Sequence, residues 1–584
     1  GLLKMDFLGL RNLSVIERAL DLIEASTGAR PDLNHVDMED EATYALLKRG
    51  DSVGVFQLEG GPMRSLMRSL APASFDDVSV LIALYRPGPM AANMHLDYAE
   101  RKNGRQAVTY MHPDMEKVLG DTYGLCVYQE QMMGLARQFA GYTVVEADKL
   151  REGAAKKKRD VMAAEREKFI AGCDRTGYGS ELGKRIFDMI EPFADYAFCR
   201  AHAYGYGLVS YWTAWLKAHY PVEYLAALLT SVADDKDRTA LYLAESRAMG
   251  IEVLVPDVNL SVSDFAALPE RSAITFGLSS VRNVGSGLVE RIVAERESGG
   301  PFEDFYDFAN RVDPVVLNKR TVDSLIKAGA FDSMGVSRMG LCQVYEQVVE
   351  ATLARRREAD LGVMTLFAAA PGEASVFDDS RVPVPEVEFD KTTRLALEKE
   401  MLGLYVSDHP MRGMEAALAR QAEITIADLL ESVDASVPTG PPQWVGGVVT
   451  GLARKYTRRG ELMATFFLED LQSSVEVWVF PKAMLEVGHM LADDQVVCVK
   501  GRMSTRDDTP KLFCLELRVP KLVAGGTAAV HLGLPAHALS DTCLAELKSV
   551  LREHPGESPV FLHLGARCLK LTGEYSVDAS NGLI

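Results

Sequence analysis

The chain has 584 residues, of which 47% are hydrophobic and 25% are charged, and its formal net charge is −19. This length has room for about three to five domains. No apolar run reaches the roughly 18 residues that a membrane span needs, so we expect no membrane association. The acidic balance disfavours a uniformly basic surface, but nucleic-acid binding depends on local basic patches. The eight cysteines are scattered without a Cys-x-x-Cys pair, which favours reduced thiols and a cytosolic location over zinc or disulfides.

The first ten residues, Gly-Leu-Leu-Lys-Met-Asp-Phe-Leu-Gly-Leu, place one carboxylate inside an apolar, strand-like run. An acidic residue among apolar neighbours is costly unless something pairs with it. Because side chains alternate along a strand, Lys4 and Asp6 would share one face and point together into a site. The chain opens with Gly in mid-strand, so we expect it to be the later part of a larger protein, with the partners of Asp6 upstream.

Residues 13–265 carry apolar side chains at helical spacing and predict a mostly helical region. The predicted helices are Val15–Ile23, Thr43–Lys48, Asp114–Leu119, Tyr128–Phe139, Val161–Cys173, Leu182–Phe193 and Tyr206–His219. The segment Phe198–Tyr206, just before the last of these, is dense in Arg, His, Tyr and Gly. Those residue types suit a triphosphate and a base plane, although a lone histidine is more often structural. The basic run Lys156–Arg159 could bind the same triphosphate, or it could simply be a helix face exposed to solvent.

Residues 266–340 predict two short helix–hairpin–helix units. In the first, Gly285 and Gly287 form a tight turn behind Arg282, and in the second Asn318-Lys319-Arg320 leads into another helix. Glycines let a backbone approach a phosphate closely, and the following helix offers free N–H groups. Such units hold DNA without reading its sequence. The alternative is a glycine-containing helix–helix turn that binds nothing.

Residues 341–440 predict a charged helix, Tyr345–Asp360, and a linker rich in Ala, Pro and Asp. Residues 441–525 predict five short strands, which suggest an OB-type barrel. These strands are Trp444–Leu452, Met463–Glu469, Val475–Phe480, Val496–Gly501 and Lys511–Leu517. The first hairpin is basic and the third strand carries Trp478, which suits single-stranded DNA unless Trp478 belongs to the barrel core. Residues 526–584 predict a strand–helix–strand module.

Several motifs occur in a specific order along almost the whole chain. They are Lys4–Leu10, Val55–Glu59, Leu84–Pro89, Val127–Gln131, Tyr211–Pro221, Asn318–Arg320, Gly329–Asp332 and Glu398–Leu404. Together they closely resemble the alpha subunit family of bacterial DNA polymerase III, the C-family replicative polymerases. The amino-acid sequences of the segments Tyr211–Trp215 and Asp234–Arg238 are most similar to those of the actinobacterial members.

The resemblance implies a multidomain layout that is mainly α, with a β OB-type barrel and a small α+β module. Residues 1–12 would be the last palm strand, 13–265 the fingers, 266–340 the tandem helix–hairpin–helix domain, 341–440 a helix, clamp-binding peptide and linker, 441–525 the OB-fold, and 526–584 the C-terminal domain. It implies template-directed transfer of a nucleotide from a dNTP to a primer 3′-OH, with two Mg²⁺ ions. The implied partners are primer–template DNA, dNTPs, the sliding clamp, a clamp-loader subunit and other holoenzyme subunits, in the cytoplasm at the nucleoid.

The resemblance also implies residue roles. Asp6 matches the family's third catalytic, metal-binding carboxylate, and Lys4 matches the lysine beside it. The implied nucleotide-binding residues are Arg151, Lys156, Lys157, Arg200, His202 and Tyr206. The implied DNA-binding residues are Arg282, Gly285, Gly287, Lys319, Arg320, Arg454, Lys455, Arg458, Arg459 and Trp478. The implied clamp-binding residues are Leu366 and Phe367.

Departures from the family pattern limit these expectations. The family's other two aspartates form an Asp-x-Asp strand, and the only such sequence here, Asp235-Lys236-Asp237, lies in a polar stretch between helices. One carboxylate cannot organise two metal ions, so we expect no polymerase activity from this chain alone. Glu152 stands where the family has a second arginine, and the clamp peptide lacks its glutamine, which predicts weaker clamp binding. The alternatives are a non-catalytic scaffold that binds DNA and clamp, or a diverged mutagenic paralogue.

Overall fold

In its computed structural model the chain divides into two compact units, Gly1–Ser407 and Asp408–Ile584. The structure describes residues 9–577 except for 156–158, 194–197, 362–381, 409, 412–417, 419–420, 432–440, 458, 471–472, 505–509, 521–529, 535–546, 553, 555–559, 565–566 and 573–574. Among the residues so described, no helix is long and apolar enough to cross a membrane. The described cysteines Cys126, Cys173, Cys199, Cys342, Cys498 and Cys514 are free thiols.

The first unit begins with a run of helices. They are α1 (Arg11–Thr27), α2 (Glu41–Arg49), α3 (Gly61–Leu70), α4 (Phe75–Leu84), α5 (Pro87–Ala91), α6 (Met94–Lys102), α7 (Glu116–Leu119), α8 (Gln129–Ala140), α9 (Val144–Ala155), α10 (Arg159–Arg175), α11 (Ser180–Phe193), α12 (Arg200–His219), α13 (Pro221–Ser231) and α14 (Lys236–Ala248). Each helix predicted from the apolar periodicity coincides with one of these.

The start of α12 differs from the prediction. The helix begins at Arg200 rather than at Tyr206, with Cys199 in an extended conformation at its N-cap. The Glu130 carboxylate accepts the backbone N–H of Arg200 at 3.0 Å and so satisfies one of the free donors at this helix end. The segment rich in Arg, His and Tyr therefore does not precede the helix but forms its first two turns.

Local capping explains several other helix boundaries. The Asp40 carboxylate accepts the N–H of Thr43 at the start of α2, and Gly50 ends that helix with a φ of 72°. Ser74 and Asp77 form a reciprocal capping box at the start of α4. The Asp235 carboxylate accepts the backbone N–H of Arg238 at the start of α14. The Asp-x-Asp sequence is therefore a helix start and not a strand, as expected.

Three short strands follow the helical run. The first of them lies before residue 265, in the region that the sequence predicted to be mostly helical. They are β1 (Glu252–Leu254), β2 (Ala266–Leu268) and β3 (Ala273–Thr275), in the order β1-β3-β2. Three residues are too few to show a strand periodicity in the sequence. The helices after this sheet are α15 (Ser286–Gly299), α16 (Phe305–Arg311), α17 (Lys319–Ala328), α18 (Arg338–Asp360) and α19 (Lys391–Leu402).

One hydrophobic cluster joins the two ends of the first unit. It includes the inner face of α1, nearly all of α13 and the buried side chains of residues 251–349. A second cluster packs α2, α3, α4 and α6 against α12, and a third packs α8 to α11 together. Because α12 lies between the first and second clusters, its two sides are buried against different cores while its first turns remain accessible.

The second unit contains a closed barrel. Its elements are α20 (Ile426–Glu431), β4 (Gln443–Tyr456), β5 (Leu462–Glu469), β6 (Ser474–Val479), α21 (Pro481–Val487), β7 (Val496–Ser504) and β8 (Lys511–Arg518). The strand order β4-β5-β6-β8-β7, closed by parallel pairing of β6 with β8, confirms the predicted OB-type barrel. Next come β9 (Val530–Leu534), a helix at 547–552, β10 (Val560–Leu564) and β11 (Arg567–Lys570), in which β9 pairs in parallel with β10.

Candidate nucleotide and nucleic-acid interface

The first turns of α12 carry a row of rings at helical spacing. The centroid of Phe198 lies 5.2 Å from that of His202, which lies 4.5 Å from that of Tyr206. Tyr206 continues the row to Phe56, 5.6 Å away, and the Arg86 guanidinium lies 4.1 Å from the Phe198 centroid at the other end. The rings meet edge-on or tilted, at 75° for Phe198 and His202 and at 40° for His202 and Tyr206. Aromatic rings beside a cation offer a surface on which a base can stack.

Arg200, in the first turn of α12, faces a different set of residues and is already engaged. Its Nη2 is 2.5 Å from Asp121 Oδ2, and its guanidinium carbon is 4.6 Å from the centroid of the Tyr128 ring. Two buried polar atoms here, Arg200 Nε and the Tyr128 hydroxyl, have no hydrogen-bond partner among the described residues. Buried polar groups are normally satisfied, so the corner formed by Arg200 and Tyr128 has unused hydrogen-bonding capacity.

The segment Val127–Gln131 builds the wall that holds Arg200. Gln131 accepts the backbone N–H groups of Val127 and Tyr128 at 2.8 and 3.0 Å, and its amide donates to Asp121 at 3.1 Å. Glu130, one residue earlier, caps α12 at Arg200. No role could be assigned to this motif from the sequence. In the structure it fixes both Asp121, the anion that holds Arg200, and the start of α12.

The other expected nucleotide-binding cations lie elsewhere or outside the described residues. Arg151 is on α9, in the third cluster, and its Nε is 2.7 Å from Asp148 Oδ1. Lys156 and Lys157 fall in the gap between α9 and α10. The structure therefore brings His202 and Tyr206 together, holds Arg200 at Asp121 and Tyr128, and places Arg151 on a separate helix.

The first helix–hairpin–helix turn differs in detail from the expected double-glycine turn. The residue with positive φ is Asn283, at 68°, whereas Gly285 is the N-cap of α15 with a φ of −86° and Gly287 lies inside the helix. A Cβ added to either glycine would meet nothing within 4 Å. Neither backbone conformation nor internal packing requires these glycines, so their role is explained better by close approach of an external group.

The second helix–hairpin–helix turn is hydrogen-bonded to the first. Thr321 donates its hydroxyl to the Asn283 carbonyl at 3.1 Å, and the Asn283 amide donates to Ser324 at 2.9 Å. Lys319 is only partly available, because its Nζ is 2.8 Å from Glu346 and 2.6 Å from Glu350. Arg320 and Arg282, by contrast, are exposed. The two hairpin turns thus form one surface on which the arginines are the more accessible cations.

In the barrel, Trp478 is not a core residue. Its neighbours Val477 and Val479 are buried in the barrel, whereas Trp478 is half-buried on the outer face with Lys511 Nζ 4.9 Å from its ring. Phe480 continues this outer face at 6.1 Å from Trp478. Phe513, on β8, extends this aromatic row at 5.2 Å from Phe480. The row was not predicted from the sequence, although Trp478 and Phe480 are two positions apart, at the end of β6 and just after it.

The basic hairpin between β4 and β5 is exposed. Arg454, Lys455 and Arg459 all lie at its surface, although Arg454 donates to the Leu491 carbonyl at 2.9 Å, and Arg458 is outside the described residues. Tyr456, 75% exposed, adds an aromatic ring to this hairpin.

The expected catalytic and clamp-binding residues, Asp6, Lys4, Leu366 and Phe367, lie outside the described residues. Within the described ranges, no group of three or more His, Cys, Asp or Glu side chains could hold a metal ion.

The fold defines a multidomain protein that combines a large helical region, a helix–hairpin–helix domain and an OB-type barrel. Residues 12–177 match the family described as the bacterial DNA polymerase III alpha subunit finger domain, and residues 250–341 match a helix-hairpin-helix motif. The chain belongs to the bacterial DNA polymerase III alpha subunit family, which confirms the resemblance seen in the sequence.

Three relatives show the extent of this similarity. DNA polymerase III subunit alpha of Mycobacterium tuberculosis is 45% identical over 570 residues, which cover 97% of this chain and 48% of the relative. The same subunit of Saccharopolyspora erythraea is 44% identical over 600 residues, covering 100% and 50%. That of Thermus aquaticus is 40% identical over 571 residues, covering 97% and 45%. The chain spans about half the length of the curated relatives it matches.

Proposed function

We propose that the chain supplies the fingers and the DNA-binding parts of a template-directed DNA polymerase that transfers nucleotides from dNTPs to a primer 3′-OH. The observation that carries this proposal is the row of rings formed by Phe198, His202 and Tyr206, with the Arg86 guanidinium at one end, at the start of the helix that follows the family's finger domain. A base can stack on such rings while a nearby guanidinium pairs with phosphate.

In this proposal Arg200, His202 and Tyr206 contact the incoming nucleotide, with Arg151, Lys156 and Lys157 as further cations. Asp6 and Lys4 would belong to the catalytic centre, where family members use Mg²⁺. The clamp peptide at Leu366 and Phe367 would bind the sliding clamp more weakly than in relatives with the glutamine. Contacts with a clamp loader and other holoenzyme subunits, and a location at the nucleoid, complete the proposal.

The helix–hairpin–helix surface would bind the duplex. Arg282 and Arg320 are exposed, and Gly285 and Gly287 stand at the uncapped start of α15, with no acidic residue in its first turn. A phosphate can approach this helix end closely and accept its free N–H groups. Lys319 would have to leave Glu346 and Glu350 before it pairs with DNA, so we expect it to contribute less than Arg320.

A binding scaffold without catalysis is a second candidate. It is favoured by the ion pairs that already occupy Arg151 and Arg200, because a cation held by a carboxylate is less available for a triphosphate. The two candidates share DNA binding and differ in nucleotide binding. Saturable binding of dNTPs that is lost in Arg200→Ala supports the polymerase, whereas DNA binding with no dNTP binding supports the scaffold.

Duplex binding is tested by fluorescence anisotropy with a labelled primer–template. Gly285→Ala should weaken binding about 10-fold, because the new Cβ keeps a phosphate from the helix start and removes a charge-assisted hydrogen bond. Gly60→Ala is the matched control, since Gly60 is also an N-cap glycine with negative φ and open space around its Cβ position. Equal affinities of the two variants would contradict a DNA-binding role for the hairpin.

A further inference from the structure

A cleft opens between the start of α1 and the loop Gly54–Glu59. Its volume is about 290 Å³. The polar side chains around it come from distant parts of the first unit: Arg11, Asn12, Gln57, Glu59, Ser231, Arg238 and Tyr242. The cleft borders the ring row described above, because Phe56 lines it and also packs against Tyr206.

Of the two arginines of the cleft, Arg11 is available and Arg238 is held more loosely than Arg151 and Arg200. Arg11 is exposed and its side chain has no hydrogen-bond or ion-pair partner among the described residues. Arg238 is about half exposed, and the carboxylate nearest to its guanidinium, that of Asp235, is 3.8 Å away. Guanidinium groups in this state are suited to pair with phosphate oxygens, because their planar fork of donors matches phosphate geometry.

The acidic member of the lining is occupied. Glu59 Oε2 accepts the backbone N–H of Gly54 at 3.2 Å and the hydroxyl of Tyr242 at 3.0 Å. Its negative charge is therefore partly neutralised by hydrogen bonds that close the loop. Asp235 offsets much of the Arg238 charge and Glu59 is hydrogen-bonded, so Arg11, unpaired among the described residues, is the cation that makes the cleft suited to an anion.

The loop that forms one wall is pinned along its backbone. Lys217 donates to the carbonyls of Asp51 and Val53 at 2.7 and 2.8 Å, and Tyr224 donates to the Gly54 carbonyl at 2.6 Å. Phe56 is held from both sides, because its N–H donates to Thr213 at 3.1 Å and its carbonyl accepts the Ser210 hydroxyl at 2.9 Å. Two of the motifs found in the sequence, Val55–Glu59 and Tyr211–Pro221, thus act as one structural element.

The pinned loop holds Gln57 in a strained conformation. Its φ is +62°, in the left-handed region that a residue with a Cβ rarely adopts. The Gln57 side chain is exposed and has no hydrogen-bond partner among the described residues. Strain of this kind persists only where the surrounding structure imposes it, and it is often found at ligand-binding positions.

We propose that this cleft binds a phosphate group, with Arg11 and Arg238 as its cationic ligands and the Gln57 amide as a hydrogen-bond donor. The phosphate comes from a nucleotide or from the DNA backbone, which present the same chemistry. The proposed function is needed only to identify the molecule that carries the phosphate. It assigns a site separate from Arg200 and from the helix–hairpin–helix surface.

The test measures phosphate binding by this chain directly. Calorimetric titration with inorganic tripolyphosphate at low ionic strength should show saturable binding. Arg11→Ala and Arg238→Ala should each weaken it about 10-fold or more, because each loses a charge-assisted contact. Arg271→Ala, at an exposed turn, is the matched control and should bind like the original chain. Gln57→Gly relieves the backbone strain, so it should weaken binding while the melting temperature stays equal or rises.

Two further titrations distinguish the sources. If the ligand is a nucleotide, Arg11→Ala weakens dATP binding by the same factor as tripolyphosphate and leaves duplex binding unchanged. If it is DNA, the same variant lowers the slope of log K against log salt for a duplex by about 0.9. An unchanged tripolyphosphate affinity in both arginine variants, or no binding by the original chain, overturns the inference. If both arginine variants keep their tripolyphosphate affinity but duplex binding still depends on Gly285, the inference fails and the proposed function is still supported.

Discussion

The ammonium group of Lys217 lies 2.6 Å from the Glu245 carboxylate, at a position where the lysine side chain has no exposed surface. The same ammonium group donates to the carbonyls of Asp51 and Val53. Burial lowers the pKa of Lys217, and the nearby Glu245 charge opposes this shift. This ion pair therefore connects α12 and α14 to the loop that presents Phe56 and Gln57.

Lys217→Met should destabilise the first unit by about 3–5 kcal/mol, because it leaves the Glu245 carboxylate and two carbonyls without their partner in a buried place. Urea denaturation followed by tryptophan fluorescence measures the effect. Replacing Trp444 and Trp478 by Phe makes the signal specific to Trp212 and Trp215 of the first unit. The control is Lys184→Met, which removes a lysine from an exposed i,i+3 pair with Glu181 and should leave the midpoint unchanged. Equal midpoints for both variants would show that the Lys217 pair does not stabilise the fold.

The start of α9 should be sensitive to acid. Hydrogen bonds from the Thr143 N–H and hydroxyl, together with Lys168, lower the pKa of Glu146 from 4.5 to about 2. A depressed carboxyl pKa contributes stability that is present above about pH 4.5 and is lost as the pH falls towards 2. The difference in melting temperature between the original chain and Glu146→Gln should be constant above pH 5 and shrink between pH 4.5 and 2. A difference that does not change with pH would refute this assignment.

The role of Arg200 can be separated from its structural contacts. Asp121→Asn removes the charge that holds the guanidinium, so we expect tighter dNTP binding if Arg200 pairs with the triphosphate. Arg200→Ala should weaken that binding about 10-fold. Titration with a fluorescent dNTP analogue measures both. Weaker dNTP binding in Asp121→Asn with an unchanged melting temperature would mean that the ion pair itself, and not a released Arg200, serves the nucleotide.

The outer face of the barrel should bind single-stranded DNA. Trp478→Ala and Phe480→Ala should each weaken binding of an oligothymidylate by about 1–3 kcal/mol, the usual contribution of one stacked base. Anisotropy of the labelled oligonucleotide measures this loss. Leu485→Ala is the control, because Leu485 is 89% exposed on α21 and is apolar without a ring. If all three variants bind alike, the aromatic row has no role in binding.

Much of the architecture could be predicted from the sequence because it follows from periodicity. The seven predicted helices, which overlap α1, α2, α7, α8, α10, α11 and α12, and the strands of the barrel were recognised from apolar residues spaced at about 3.6 and 2 positions, and such patterns are local. The start of α12 could not be predicted, because it depends on Glu130, which is 70 residues away from Arg200. The three-residue strand β1 escaped for the opposite reason, since it is too short to show any period.

The candidate site was predicted less completely. Residue types alone singled out Arg200, His202 and Tyr206, and the structure places all three in the first two turns of α12, where the His202 and Tyr206 rings meet. The anion that holds Arg200 and the cleft at Gln57 depend on contacts between segments that are far apart in the chain. No local pattern reports such contacts, and a left-handed φ at a glutamine has no signature in the sequence.

Photo-crosslinking of the chain to a primer–template, with reactive bases placed separately in the duplex and in the 5′ template overhang, tests the central claim most directly. The account predicts that duplex probes crosslink to residues 282–287 and 319–320, and that overhang probes crosslink to residues around Trp478 and Phe480. Crosslinks from both probes to other surfaces, or no crosslinks at concentrations that saturate binding, would contradict it.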